Sequence, residues 1–124
     1  MTRHSDATRM RHMLAHAEEA VQMACGRQRA DLDRDRQLNL SLVRLAEIVG
    51  EAAARVSPEG HKRCPAIPWS EIAGLRNRLV HGYDKVDFDI LWAIVRDDLP
   101  PLIAELRKAL PPDNPTGAGA QESQ

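Results

Sequence analysis

The side chains with the strongest chemistry in this chain are concentrated in Gly74-Leu75-Arg76-Asn77-Arg78-Leu79-Val80-His81-Gly82-Tyr83. An arginine presents a planar fork that grips a phosphate through two parallel hydrogen bonds and stays charged at every relevant pH. A histidine titrates near neutrality and can give or take a proton in a transition state, a contribution of about 10²–10⁴ in rate. Arg76 and His81 supply that pair, with no carboxylate cluster beside them of the kind that holds Mg²⁺. Phosphate binding plus proton transfer suits cleavage of RNA, whose ribose 2′-OH is an internal nucleophile; DNA lacks it and would be spared. Asn77 precedes His81 by four residues, so on a continuous helix the two share a face and can hydrogen-bond. Arg76 and His81 are five apart, which is ~140° around such a helix. A joint site therefore needs a distorted helix end, or two copies of the chain meeting at a two-fold axis. Spacing alone equally allows an arginine and a histidine that merely cap or decorate a helix end.

Other candidates are weaker. His12 and His16 stand four apart, a geometry able to hold a metal, but no glutamate follows His12 in the metalloprotease pattern and no third ligand is near in sequence. His61-Lys62-Arg63 is either a contact for an RNA backbone or a solvated loop. Trp69 and Trp92 read as core or interface residues before they read as base-stacking platforms. Cys25 and Cys64 form no Cys-x-x-Cys pair and suggest no disulfide framework. With no apolar signal core at the start and no long apolar span, a soluble protein of the reducing cytoplasm is expected, away from membranes.

Four segments carry the helical period that must position these residues. Met10, Met13, Leu14, Ala17, Val21 and Ala24 form one stripe, with Ser5 or Asp6 as N-cap and Gly26 as terminator. After the charged run Arg27 to Arg36, a second stripe runs through Leu38, Leu42, Leu45, Val49, Ala52 and Val56 to Ser57-Pro58. Pro58 to Ile67 reads as a loop. A short third helix is expected from Pro68, at its first position, through Ile72, Leu75 and Leu79 to Gly82. The fourth stripe, Phe88 to Leu110, starts at an Asp84 or Asp87 cap, and Pro100-Pro101 should kink it by removing two backbone donors. The expected fold is all-α, an antiparallel four-helix bundle over residues 1–110 with a disordered tail at 111–124. Gly50 within the second helix implies close helix–helix contact, since a helical glycine costs about 1 kcal/mol relative to alanine. Glu51 beside it, on a tightly packed face, should be buried and orient an arginine of the third helix.

The chain has 124 residues, 43% hydrophobic and only 3% aromatic, which suits one helical domain and argues against an all-β one. Lys plus Arg number 17 against 18 Asp plus Glu, a balance unlike that of a DNA-coating protein. Charge is biased locally: Lys62, Arg63, Arg76 and Arg78 face only Glu71 between Gly60 and Val80, whereas acids dominate from Asp84 to Glu105. A cationic anion site beside an acidic docking surface fits this pattern, as do two solvated faces.

Four ordered blocks carry a resemblance. Gly50-Glu51-Ala52-Ala53, then Pro65-Ala66-Ile67-Pro68-Trp69, then Leu75 to Tyr83, then Leu91-Trp92 with Leu99-Pro100-Pro101-Leu102, resemble the HepT-like ribonuclease toxins of the HEPN superfamily. Arg76, Asn77 and His81 match the Arg-polar-x-x-x-His motif, and Tyr83 completes the longer Arg-x4-His-x-Tyr pattern. The resemblance implies a helical bundle that dimerises and builds an RNase site at the two-fold interface. Arg76 and His81 would be catalytic without a metal or cofactor, with Asn77 and Glu51 in support. It further implies a partner, an MNT-type nucleotidyltransferase antitoxin that transfers AMP onto Tyr83, where a phosphodiester and nucleoside would repel and obstruct an RNA phosphate. Some HEPN domains act instead as non-catalytic partners or substrate-binding subunits of a nucleotidyltransferase, the alternative expectation.

Overall fold

A computed structural model describes residues 5–82 and 85–112, and the apolar stripes of the sequence close its core. Helix α1 covers Asp6–Ala24. Ser5 caps it by accepting from the Thr8 N–H at 3.1 Å, and Gly26 ends it in the left-handed region at φ 76°. Met10, Met13, Ala17 and Ala20 face inward. Helix α2, Asp31–Arg34, is one turn inside the charged run expected only to connect. It forms because Leu32 is completely buried and the Asn39 side-chain amide donates to the Leu32 carbonyl at 2.8 Å. Helix α3, Arg36–Arg55, is capped by Asp35 and buries Leu38, Leu42, Leu45 and Val49.

The packing is antiparallel. Asp6 at the start of α1 accepts from the Ser57 N–H at 2.9 Å and its hydroxyl at 2.5 Å, just past the end of α3. These hydrogen bonds, with Arg63 at 3.2 Å, hold the Asp6 carboxyl below the ordinary carboxylate range. Asp6 therefore contributes stability above the unfolded pKa near ~3.9 and loses it as pH falls through its lower folded value. Asp6→Ala is expected to cost about 1–2 kcal/mol at neutral pH, and much less than that at pH 2, in urea titrations at the two pH values. An equal cost at both would disprove the linkage.

The segment expected as a loop contains helix α4, Pro58–Arg63, capped by Ser57. The third helix is not continuous. Its expected first residue, Pro68, lies just outside, and the helix divides at Gly74 into α5, Trp69–Ala73, and α6, Leu75–Leu79. Strand β1, Val80–His81, follows at once and pairs antiparallel with β2, Lys85–Val86, with Val80 opposite Val86 and His81 opposite Lys85. Gly82, at φ 69°, leaves β1 in the left-handed region.

Asp87 caps α7, Phe88–Ala93. A π-helical turn, Ile94–Asp98, then leads into α8, Leu99–Ala109. The interruption expected from Pro100-Pro101 takes the form of this π-helical turn, which contains Arg96 and Asp97, the residues whose carbonyls the prolines cannot bond, and in which the Leu99 N–H reaches back five residues to Ile94. Among the described residues no helix is long and apolar enough to cross a membrane. Most of the expected tail, residues 113–124, lies outside the described residues.

Candidate active site

Gly50 decides how closely the motif-bearing segment approaches α3. A Cβ built there would lie 3.0 Å from the Ile72 carbonyl oxygen and 3.6 Å from the Leu75 Cβ, so the close contact expected of this glycine exists. Buried Leu75 and Leu79 anchor α6 from below, and the Leu79 carbonyl accepts the Asp87 N–H at 2.9 Å. Arg78 Nη1 donates to Asp98 at 2.9 Å and ties α6 to the π-helical turn. The backbone beneath the motif is therefore held from three sides, while Arg76, Asn77 and His81 are exposed.

Arg76 and Asn77 line an open groove of about 450 Å³ together with Arg44, Glu47 and Glu51 of α3. His81 does not line it. The Val80 N–H makes the last helical bond to the Arg76 carbonyl, and Val80 itself is extended at φ −99°, ψ 121°. The helical face expected to be shared by Asn77 and His81 therefore ends before His81, and no hydrogen bond joins the two among the described residues. On the ribbon His81 stands opposite Lys85, which places their side chains on one face. Tyr83 lies outside the described residues.

The α3 carboxylate that reaches an arginine of this segment is Glu47, not Glu51. Glu47 Oε2 is 3.5 Å from Arg76 Nε, and its other oxygen is 3.6 Å from Arg44 Nη1. Glu51 is exposed and meets Arg55 of its own helix at 3.4 Å. Four residues along a helix advance the chain ~6 Å and turn it ~40°, enough to move a carboxylate from one partner to another. The sequence signal for Glu47 was its position three residues before the close-contact glycine, one turn from Gly50 on the side where α6 crosses.

The local charge bias proves less concentrated than its sequence suggested. Arg63 is committed to Asp6 and Arg78 to Asp98, which leaves Arg76 as the member of the cationic set that lines the groove. On the acidic side Asp89 is paired with Arg29 at 2.6 Å. His61 stacks on Trp69 with ring centroids 4.4 Å apart and donates to the Ala53 carbonyl at 3.0 Å, so it supports the fold. Trp69 is in the core, as expected, its indole N–H shared between the His61 and Cys64 carbonyls. His16 Nδ1 donates to the His12 carbonyl at 2.7 Å, turning one ring of the candidate metal pair toward its own backbone.

Residues 10–109 match the family model described as ribonuclease HepT-like. The chain belongs to the HepT-like ribonuclease family. This HepT-like chain is 31% identical over 101 residues to a protein of Caldanaerobacter subterraneus subsp. tengcongensis described as a candidate RNase, spanning 82% of the chain and 90% of that relative. A Methanocaldococcus jannaschii protein, also described as a candidate RNase, is 36% identical over 81 residues, covering 61% of this chain and 74% of its own length. A Thermococcus cleftensis relative described as a probable ribonuclease HepT is 35% identical over 74 residues, 60% of this chain and 67% of the relative. No solved structure matches the HepT-like chain at a significant level.

Proposed function

We propose that this HepT-like chain is the toxin of a type VII-like HEPN/MNT toxin–antitoxin pair. It is a metal-independent endoribonuclease that works as a homodimer and is neutralised when a nucleotidyltransferase antitoxin transfers AMP onto Tyr83. The observation that carries the reading is the exposure of Arg76, Asn77 and His81 on a backbone segment pinned by Leu75, Leu79 and the Arg78–Asp98 pair. Exposure of costly functional groups on a rigid support is what a site for an external phosphate requires.

The division of the site supports a dimer. Within one chain Arg76 and Asn77 line the groove while His81 stands beyond the helix end. A second copy closing on this face would bring two guanidinium and two imidazole groups together. Leu40, 52% exposed and the one large hydrophobic so exposed among the described residues, precedes Arg44 by one turn of α3 and Glu47 by two, so it offers an apolar contact on the same side. Asn77 and Glu51, both beside the groove, would support the substrate's placement.

In the reaction a neutral His81 takes the proton from a ribose 2′-OH, and that oxygen attacks the adjacent phosphorus. The bond from phosphorus to the 5′-oxygen breaks as the partner copy's protonated imidazole donates to the departing oxygen. Products are a 2′,3′-cyclic phosphate and a 5′-hydroxyl end. Arg76 binds the phosphate and offsets the negative charge that develops on it. A non-catalytic partner docked through the acidic fourth helix has less support, because Asp89 and Asp98 are already engaged by Arg29 and Arg78.

The test is cleavage of unmodified tRNA by purified protein in EDTA, against the 2′-O-methylated polymer. Cyclic-phosphate ends from the first and none from the second are expected; no cleavage of either would reject the nuclease reading. For neutralisation, intact mass after coexpression with an MNT-type nucleotidyltransferase should rise by one or more AMP units, and Tyr83→Phe should abolish the increase. A neutralised toxin of unchanged mass would instead mean inhibition by binding alone.

A further inference from the structure

We infer that Glu47 is a positioning residue for Arg76, one that holds the guanidinium by its inner edge and tunes how tightly the groove binds an RNA phosphate. The inference rests on the nuclease reading above and adds a residue to it. Glu47 lies two turns of α3 beyond Leu40 and one turn before Gly50, on the side of the helix that meets α5 and α6. Its side chain is only 24% exposed, whereas that of Arg76 is 70% exposed. The more enclosed member of the pair is therefore the carboxylate, and the more exposed one is the arginine.

The contact itself points to a tether. It is made to Nε at 3.5 Å, which is an ion pair longer than a good hydrogen bond. Holding Nε leaves the outer edge of the guanidinium, Nη1 and Nη2, available to form the two-pronged contact with phosphate. An exposed pair of this kind is worth only about 0.2–1 kcal/mol, so an arriving phosphate can draw Arg76 outward without a large penalty. The second oxygen of Glu47 faces Arg44 Nη1 at 3.6 Å, and Arg44 borders the same groove. One carboxylate thus stands between two arginines, and the trio keeps a net single positive charge. Removing the carboxylate charge should make the groove more attractive to RNA and leave Arg76 less well aimed.

Those two effects have opposite signs, which separates them from simple loss of structure. In Glu47→Gln, binding of a 2′-O-methylated RNA at about 0.1 M salt should tighten by about 2–5-fold, because a negative charge a few ångströms from the phosphate is gone and screening at that range is incomplete. The single-turnover cleavage rate of unmodified tRNA should fall about tenfold, because the guanidinium is less well placed. Glu47→Asp, which keeps the charge but is shorter, should retain wild-type binding. In an Arg76→Ala background, Glu47→Gln should have no further effect on cleavage, as expected of a residue that acts through the arginine. Unchanged binding in Glu47→Gln, or binding and cleavage falling together, would overturn the inference. So would a full additional loss of cleavage in the double variant. Should the wild-type protein bind RNA but fail to cleave it, the nuclease reading falls while the binding arm still decides whether Glu47 tunes Arg76. Should it bind no RNA, both fall.

Discussion

His81→Ala is expected to lower the rate of RNA cleavage by about 10²–10⁴-fold, the usual contribution of a general acid or base. The fold should survive it. His81 is exposed at the end of β1, and substitutions at such surface positions usually change stability by no more than about 0.5 kcal/mol. Circular dichroism and the denaturant midpoint should therefore match wild type while turnover collapses. Arg76→Ala should produce a comparable loss, and Arg76→Lys should restore little of it, because an ammonium cannot reproduce the paired donors of a guanidinium. In cells His81→Ala should relieve the growth arrest expected on expression. Undiminished cleavage by folded His81→Ala protein would remove His81 from the mechanism.

Leu79→Ala should have the largest effect on stability. Leu79 is fully buried, and its removal leaves a cavity beneath the point where α6 gives way to β1. Truncation of a buried leucine typically costs 2–5 kcal/mol, against a total of roughly 5–15 kcal/mol for a domain. The loss should appear as a lower urea midpoint at unchanged slope. Because the Leu79 carbonyl also receives the Asp87 N–H, amide exchange at Asp87 should speed up more than exchange in α1. A cost below about 1 kcal/mol would show that α6 is held mainly by the Arg78–Asp98 pair and not by its apolar side chains. The two substitutions, two residues apart, thus separate chemistry from support within one short segment.

Much of the architecture was legible because its signals are local. The stripe from Met10 to Ala24, the Ser5 cap and the Gly26 stop concern residues within a few positions of one another, where helical geometry alone sets which side chains share a face. The same holds for Asp87 at the start of α7. Helices α2 and α4 were missed for the opposite reason. Each is short and polar, and each depends on anchors elsewhere: Leu32 under the Asn39 amide, and Ser57 fixed by Asp6 at the start of the chain's first helix. The break at Gly74 and the change to strand at Val80 likewise follow from packing against α3 and pairing with Lys85–Val86.

From sequence alone came the helical class, the glycine that marks close approach, and the segment that bears Arg76, Asn77 and His81. Residue type and spacing suffice for these, since each depends on neighbours a turn or two away. Tertiary structure decided which carboxylate meets Arg76, which cations were already spent on internal ion pairs, and that His81 stands off the helix it was expected to share with Asn77. Those outcomes depend on how α3 is rotated against α5 and α6. A difference of one turn along a packed helix exchanges one partner for another, and no spacing within a single helix records that rotation.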